Sequence, residues 1–358
     1  MPDTAADTPP TREPGAALAI DAARLGEYLA ARLPGLRLPL RLRQFEGGQS
    51  NPTYLLLDAA GQRWVLRRKP PGRLLPSAHA VEREYRVMSA LAGSAVPVPG
   101  MRVLCDDESV IGTVFYVMDW VEGRIFFDPR LPGMSPAERG AMFDAMNRVI
   151  ASLHQVDVRA AGLADYGKPG GYVARQIARW SQQYRASQTE PLEAMERLMQ
   201  WLPEHVPQGD EVAVVHGDFR MDNLVFHASE PRVVAVLDWE LSTIGHPLAD
   251  FAYHCMAWRL GPGQFRGIAG EDLQALGIPG EAQYLAAYCR RTGRDLVPAG
   301  QWEFFLAFNM FRLAAILQGV LARALQGNAA SAQALEAGSR ARPLAEAAWA
   351  QVQRIGAG

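Results

Sequence analysis

Residues 211–250 read EVAVVHGDFRMDNLVFHASEPRVVAVLDWELSTIGHPLAD, and the fold is decided there. Val212–Val215 is a short apolar run rich in β-branched residues, the pattern of a buried strand. It stops at His216-Gly217-Asp218, where the glycine allows a tight exit. Asn223 follows Asp218 by five positions. Two further apolar runs, Leu224–Phe226 and Val233–Leu237, flank a polar connection and predict a hairpin. The second run ends in Asp238. Three oxygen-bearing side chains therefore leave strand ends within one short segment.

That grouping suits phosphoryl transfer from a nucleotide. The transition state is loose and spreads charge over the phosphoryl oxygens, so the protein supplies position and positive charge. Magnesium takes one or two protein oxygens and keeps its other sites for phosphate and water. Asn223 and Asp238 are the candidates for that place. Asp218 is the candidate to face an acceptor hydroxyl, orient it and take its proton late in the reaction.

The spacing of Asp218 and Asn223 equals that of the aspartate and asparagine in the kinase catalytic loop. HGDxxxxN followed by LDWE…GxPxxD, ending at Asp250, resembles the aminoglycoside phosphotransferase family of small-molecule kinases. The resemblance implies an α+β, two-lobed protein-kinase-like fold, with an N-terminal antiparallel sheet lobe and a mainly helical C-terminal lobe. It also implies ATP as donor with Mg2+. The expected organisation is a disordered tail over 1–17, a nucleotide-binding lobe over 18–121 and a helical lobe with the substrate pocket over 122–358.

Composition sets the broad class. The chain has 358 residues, 49% hydrophobic and 21% charged, which is ordinary for a globular protein large enough to bury two cores. Lys plus Arg total 36 against 38 Asp plus Glu, a net charge of -2 that suggests neither a nucleic-acid footprint nor a polybasic membrane patch. Cys105, Cys255 and Cys289 form no CxxC pair, which points to a reducing cytoplasm. No apolar run reaches the length of a membrane span, and the opening MPDTAADTPPTREPG lacks a signal-peptide pattern.

Upstream, helical spacing runs from Leu18 towards Leu33. Leu40–Phe45 and Tyr54–Leu57 read as strands around Gly47, Gly48 and Ser50, whose backbone amides can approach phosphate oxygens closely. A Gly-Gly hairpin turn gives the same pattern. Arg63–Arg68 is the next strand, and a kinase needs a cation here to hold the α- and β-phosphates. The usual V-x-K register gives Arg67, with Lys69 on the same face as a second candidate. The next helix, capped at Ser77, buries Val81, Tyr85, Met88 and Leu91. Glu84 shares that face, and a glutamate among apolar neighbours needs a partner. Arg67 or Lys69 fits.

Val110–Val121 reads as two strands around Gly112. The resemblance puts Asp119 and Val121 at the backbone contacts to adenine and has Gly123 release the chain into the second lobe. From Pro136 the pattern is helical. The stripe Met142, Met146, Val149, Ile150 and Leu153 leads to His154, a packing or capping histidine. Helices are also expected over Tyr172–Tyr184, Phe251–Leu260 and Phe304–Leu321, the last apolar nearly all round. Residues 261–280 read as loop.

Only eleven residues separate Asp238 from Asp250, too few for the peptide-docking segment of a protein kinase. A small-molecule hydroxyl substrate is expected. The wording FEGGQSNPTYLL, WVLRRKPPGRLLPSAHAVEREY, FYVMDWVEGRIF and HGDFRMDN is similar to the phosphotransferase domain fused in some proteins to acyl-CoA dehydrogenases. That branch implies a hydroxyacyl-CoA acceptor, with Arg68, Arg73 and Arg175 as candidates for the CoA tail. The alternatives are an aminoglycoside, amino-alcohol or sugar acceptor, a nucleotide-binding pseudokinase, and a metal hydrolase built on His216, Asp218, His227 and Asp238.

Overall fold

In the computed structural model, which describes residues 10–46, 51–70, 79–326 and 332–355, packing divides the chain into two units. One takes in the chain up to Ile125 with 161–163 and 222–242; the other holds 126–160, 164–221 and 243 onward. In chain order the elements begin β1 (Thr11–Arg12), α1 (Ala22–Ala30), β2 (Arg41–Phe45), β3 (Thr53–Leu57), β4 (Arg63–Arg68), α2 (Val81–Leu91), β5 (Met101–Cys105) and β6 (Phe115–Asp119). Next come α3 (Pro136–His154), α4 (Tyr172–Ser187), α5 (Glu193–Glu204), β7 (Ala213–Val215), β8 (Leu224–Phe226), β9 (Val233–Val236) and β10 (Thr243–Gly245). The last are α6 (Pro247–Cys255), α7 (Leu273–Leu276), α8 (Glu281–Thr292), α9 (Ala299–Leu325), α10 (Ala332–Ser339) and α11 (Ala341–Ile355).

The first unit is an antiparallel sheet in the order β1-β2-β3-β4-β6-β5. Alternation along β4 decides its two faces. Trp64 and Leu66 join Leu25 and Leu29 of α1 in an apolar core with Tyr54, Phe115 and Val117. Arg68 follows them inward, donating to Leu18 O at 3.2 Å beside the Tyr54 ring, so it is no candidate for an exposed CoA contact. Val65 and Arg67 take the other face, where α2 lies. The β8–β9 hairpin belongs to this unit because its edges are bonded into it. Val236 N–H donates to Pro97 O at 2.9 Å, and Arg124 and Phe226 exchange two backbone bonds of 2.8 Å. Gly123 permits that approach, since a Cβ there would stand 2.2 Å from Phe226 O.

Several expectations are corrected here. Thr11–Arg12, within the expected tail, pairs with Gln44 and Phe45 as β1. The first helix starts at Ala22, because the Asp21 carboxylate accepts from Ala23 and Arg24 N–H. Residues 222–242 join the first unit rather than the helical one, for the bonding reason just given. The partner of β6 is β5 at Met101–Cys105, with a bulge in the pairing between Met101 and Val103; its burial alternates, but Leu104 puts an apolar side chain on the exposed face and blurs the pattern in the sequence. Ser77 lies outside the described residues.

The second unit is mainly helical. Ser135 and Glu138 form a reciprocal cap on α3, and Pro136 follows at the first turn. Beside the helices sits the short β7–β10 pair. α9 is long and apolar enough in composition to cross a membrane, but its most apolar stretch is 78% buried against its neighbours, as a core helix would be. It packs on α4, α6, α10 and α11, and Asn309 on it donates to Ala249 O at 2.8 Å.

Candidate active site

Arg67 is the hub of the first unit. Its Nε lies 3.0 Å from Glu84 Oε2, and its Nη2 donates to Asp238 Oδ1 at 2.8 Å and to Glu240 Oε2 at 3.2 Å. Glu84 is 1% exposed and accepts further bonds from Asn51 Nδ2 at 3.0 Å and from the Tyr116 hydroxyl at 3.1 Å. A carboxylate out of water needs that many donors. Burial pushes the Glu84 carboxyl up, and the Arg67 guanidinium offsets this only in part. Burial alone would lower Arg67, but Glu84, Tyr116, Asp238 and Glu240 raise it and keep it charged. Lys69 instead pairs with Glu82 at 2.9 Å, towards solvent, which settles which cation meets Glu84.

Asn223 and Asp238 leave the same end of the β8–β9 hairpin, where Leu237 N–H donates to Asn223 O at 2.8 Å. An amide oxygen and a carboxylate are hard donors, and that set suits magnesium. Asp238 has φ 63 and ψ 61, a left-handed conformation uncommon outside glycine but tolerated by Asp and Asn. Trp239 secures the turn, its indole N–H donating to Val236 O at 2.9 Å.

Asp218 stands in the second unit with partners of its own. Tyr253 O–H donates to its Oδ1 at 2.6 Å, and Arg220 Nη2 to its Oδ2 at 2.9 Å. The backbone leading to it is fixed from behind. Asp250 Oδ2 accepts from His216 N–H at 2.8 Å and Oδ1 from Gly217 N–H at 2.7 Å. Arg312 Nη2 donates to Gly217 O at 2.8 Å. His154, expected as packing, lies between Asp250 Oδ2 at 3.1 Å and the Tyr288 hydroxyl at 2.6 Å. A carboxylate on Nε2 favours the tautomer with its proton on that nitrogen.

Burial pushes the Asp250 carboxyl up, but the His154 bond and the charges and amides around it outweigh this and hold it below the ordinary 3.8. Such a shift stabilises the fold above the unfolded value, and the gain is lost as pH falls through the lower folded-state value. Asp250→Asn should therefore cost about 2–4 kcal/mol near neutral pH. The deficit should shrink below about pH 4. Urea unfolding across pH checks this; an equal deficit at every pH would contradict it.

Of the remaining residues singled out in the sequence, Gly47, Gly48, Ser50 and Arg73 lie outside the described residues. Asp119 ends β6, with its N–H on Gly100 O at 2.8 Å and its carboxylate on Arg102 at 2.7 Å. Val121 follows it off the sheet. Arg175 donates to Lys168 O at 2.7 Å. His227 accepts from Ser229 and Glu230 N–H, a turn role rather than a ligand's, and no metal-binding group of three His, Cys, Asp or Glu occurs among the described residues. Asn51, Tyr116, Glu240, Arg220 and Tyr253 were missed by sequence reasoning. Glu240 and Arg220 sit inside the decisive stretch, so their place in it was the available signal.

The phosphotransferase enzyme family matches residues 41–296. The chain is 48% identical to acyl-CoA dehydrogenase family member 10 of Mus musculus, over 95% of this chain and 32% of that protein. It spans about a third to two-fifths of the length of the curated relatives it matches. A solved structure from Ralstonia eutropha, provisionally described as an aminoglycoside phosphotransferase, is 56% identical over 94% of this chain and 99% of that one, with a TM-score of 0.86. A thermostable mutant of an aminoglycoside phosphotransferase, solved with AMP-PNP and hygromycin B, is 18% identical with a TM-score of 0.58, covering 91% of this chain and 99% of that one. That likeness speaks to the fold alone.

Proposed function

Since the chain belongs to the phosphotransferase enzyme family and is a small-molecule O-phosphotransferase, we propose that it moves the γ-phosphoryl group of ATP onto the hydroxyl of a hydroxyacyl-CoA. The observation that carries the donor half is Arg67, a charged guanidinium fixed by the buried Glu84. In this reading Arg67 leaves Asp238 to meet the α- and β-phosphates while Glu84 keeps its Nε in place. Backbone groups of Asp119 and Val121 meet the adenine edge, and Gly47, Gly48 and Ser50 cover the phosphates. Asn223 and Asp238 would hold Mg2+, which when bound neutralises charge on the phosphate oxygens.

Asp218 orients the acceptor. The acceptor oxygen forms its bond to the γ-phosphorus as the bond to the β,γ-bridging oxygen breaks and ADP departs; the hydroxyl proton passes to Asp218. Proton transfer follows bond breaking, so the step does not call for a strong base. The acyl-CoA half is supported by the identity to proteins named as acyl-CoA dehydrogenase family members. A cytoplasmic setting is part of the proposal, supported by three buried cysteines outside any disulfide.

A second reading, an aminoglycoside acceptor, is favoured by the description of the Ralstonia eutropha protein. ATP turnover with hydroxyacyl-CoAs, sugars, amino alcohols and aminoglycosides, read by mass spectrometry of the product, separates them. A hydroxyacyl-CoA heavier by one phosphoryl group is expected. Turnover confined to aminoglycosides would establish the second reading, and no ATP turnover with any acceptor would overturn both.

A further inference from the structure

The carboxylate read as proton acceptor does not stand alone. Arg220 Nη2 lies 2.9 Å from Asp218 Oδ2, with the arginine side chain 23% and the aspartate 15% exposed. The Arg220 guanidinium also lies 5.5 Å over the Phe265 ring. A second guanidinium, Arg312, sits 5.3 Å over the ring of Tyr253, whose hydroxyl occupies the other Asp218 oxygen. Asp218 is thus paired directly with one guanidinium, and a second lies one aromatic ring away. Phe265 meets Tyr253 edge-on at 6.3 Å, so the charged pair has an aromatic wall on one side.

An aspartate alone would draw an ammonium group to the reacting hydroxyl. Here the arginine cancels that attraction, and in a partly desolvated site it repels a cation within a few ångströms. Resting on the reading of Asp218 as the group that takes the acceptor proton, we infer that Arg220 selects the acceptor by charge. It favours hydroxy acids and their acyl derivatives, whose carboxylate or carbonyl oxygen lies close to the reacting hydroxyl, and it disfavours amino alcohols and amino sugars. Arg220 touches the acceptor's neighbouring oxygen, and Phe265 lines its carbon chain.

The test uses the full chain with ATP and three acceptors matched in length: 3-hydroxypropanoate, 1,3-propanediol and 3-amino-1-propanol. Wild-type kcat/KM should fall in that order, with at least about tenfold between the ends, and added salt should narrow the span. Arg220→Gln should bring the ends to within about twofold, and Arg220→Lys should restore the preference because it keeps the charge. A wild-type preference for the amine, transfer to none of the three, or an unchanged preference in Arg220→Gln would overturn the inference. Asp218→Asn separates the premise. Full turnover in that variant removes the base assignment and the inference with it; lost turnover there, with an unaltered ranking in Arg220→Gln, removes the inference alone.

Discussion

Asp218→Ala should lower phosphoryl transfer by about a thousandfold while leaving ATP affinity within about twofold. The loop around it does not depend on that side chain. His216 and Gly217 are held by Asp250, and the Gly217 carbonyl by Arg312, so the backbone has its own supports. What the variant removes is the acceptor for the hydroxyl proton and one end of the bonds from Tyr253 and Arg220. Asp218→Asn keeps the shape and removes the charge, so it should lose rate nearly as far. ADP release measures the first effect and calorimetric titration with ATP the second. Near wild-type turnover in both variants would take the role away from this residue.

The second large effect concerns Arg67. Arg67→Ala leaves Glu84, which is 1% exposed, without its cation and facing two further acids that the arginine had bridged. Breaking a buried pair from one side costs about 3–5 kcal/mol, since the remaining charge stays out of water. Lysine is a poor substitute. The guanidinium meets Glu84 through Nε and Asp238 through Nη2, two directions that a single ammonium cannot reproduce. Pairing Arg67→Met with Glu84→Gln should recover part of the loss, because the stranded charge disappears with its partner. Thermal unfolding reads the stability and ATP titration the affinity. Additive losses in the double variant would show that the two side chains act independently.

Much of this arrangement was legible in the sequence because it follows simple periods. The V-x-K register along β4 pointed to Arg67, with Lys69 on the same face until the structure separated them, and the helical period put Glu84 on the buried side of α2, where an acid needs a cation. The decisive stretch gave β7, β8 and β9 nearly to the residue. What escaped was contact made across distance. Tyr116 reaches Glu84 from 32 positions away, and Tyr253 reaches Asp218 from 35. Neither tyrosine differs in local pattern from a core aromatic. Asn51 was read as a loop residue, yet it is fully buried with its amide on Glu84. β5 escaped because Leu104 puts an apolar side chain on its exposed face, so the alternating burial does not show as alternating apolar and polar residues.

The left-handed turn at Asp238 has a practical bearing on how the residue is probed. Alanine there would disturb the path of the main chain as well as remove the carboxylate, and a dead variant would not say which mattered. Asparagine adopts the same dihedral angles readily and keeps the size, exchanging the charge and one acceptor oxygen for an amide NH2. It is therefore the replacement that lets chemistry and chain geometry be told apart at position 238.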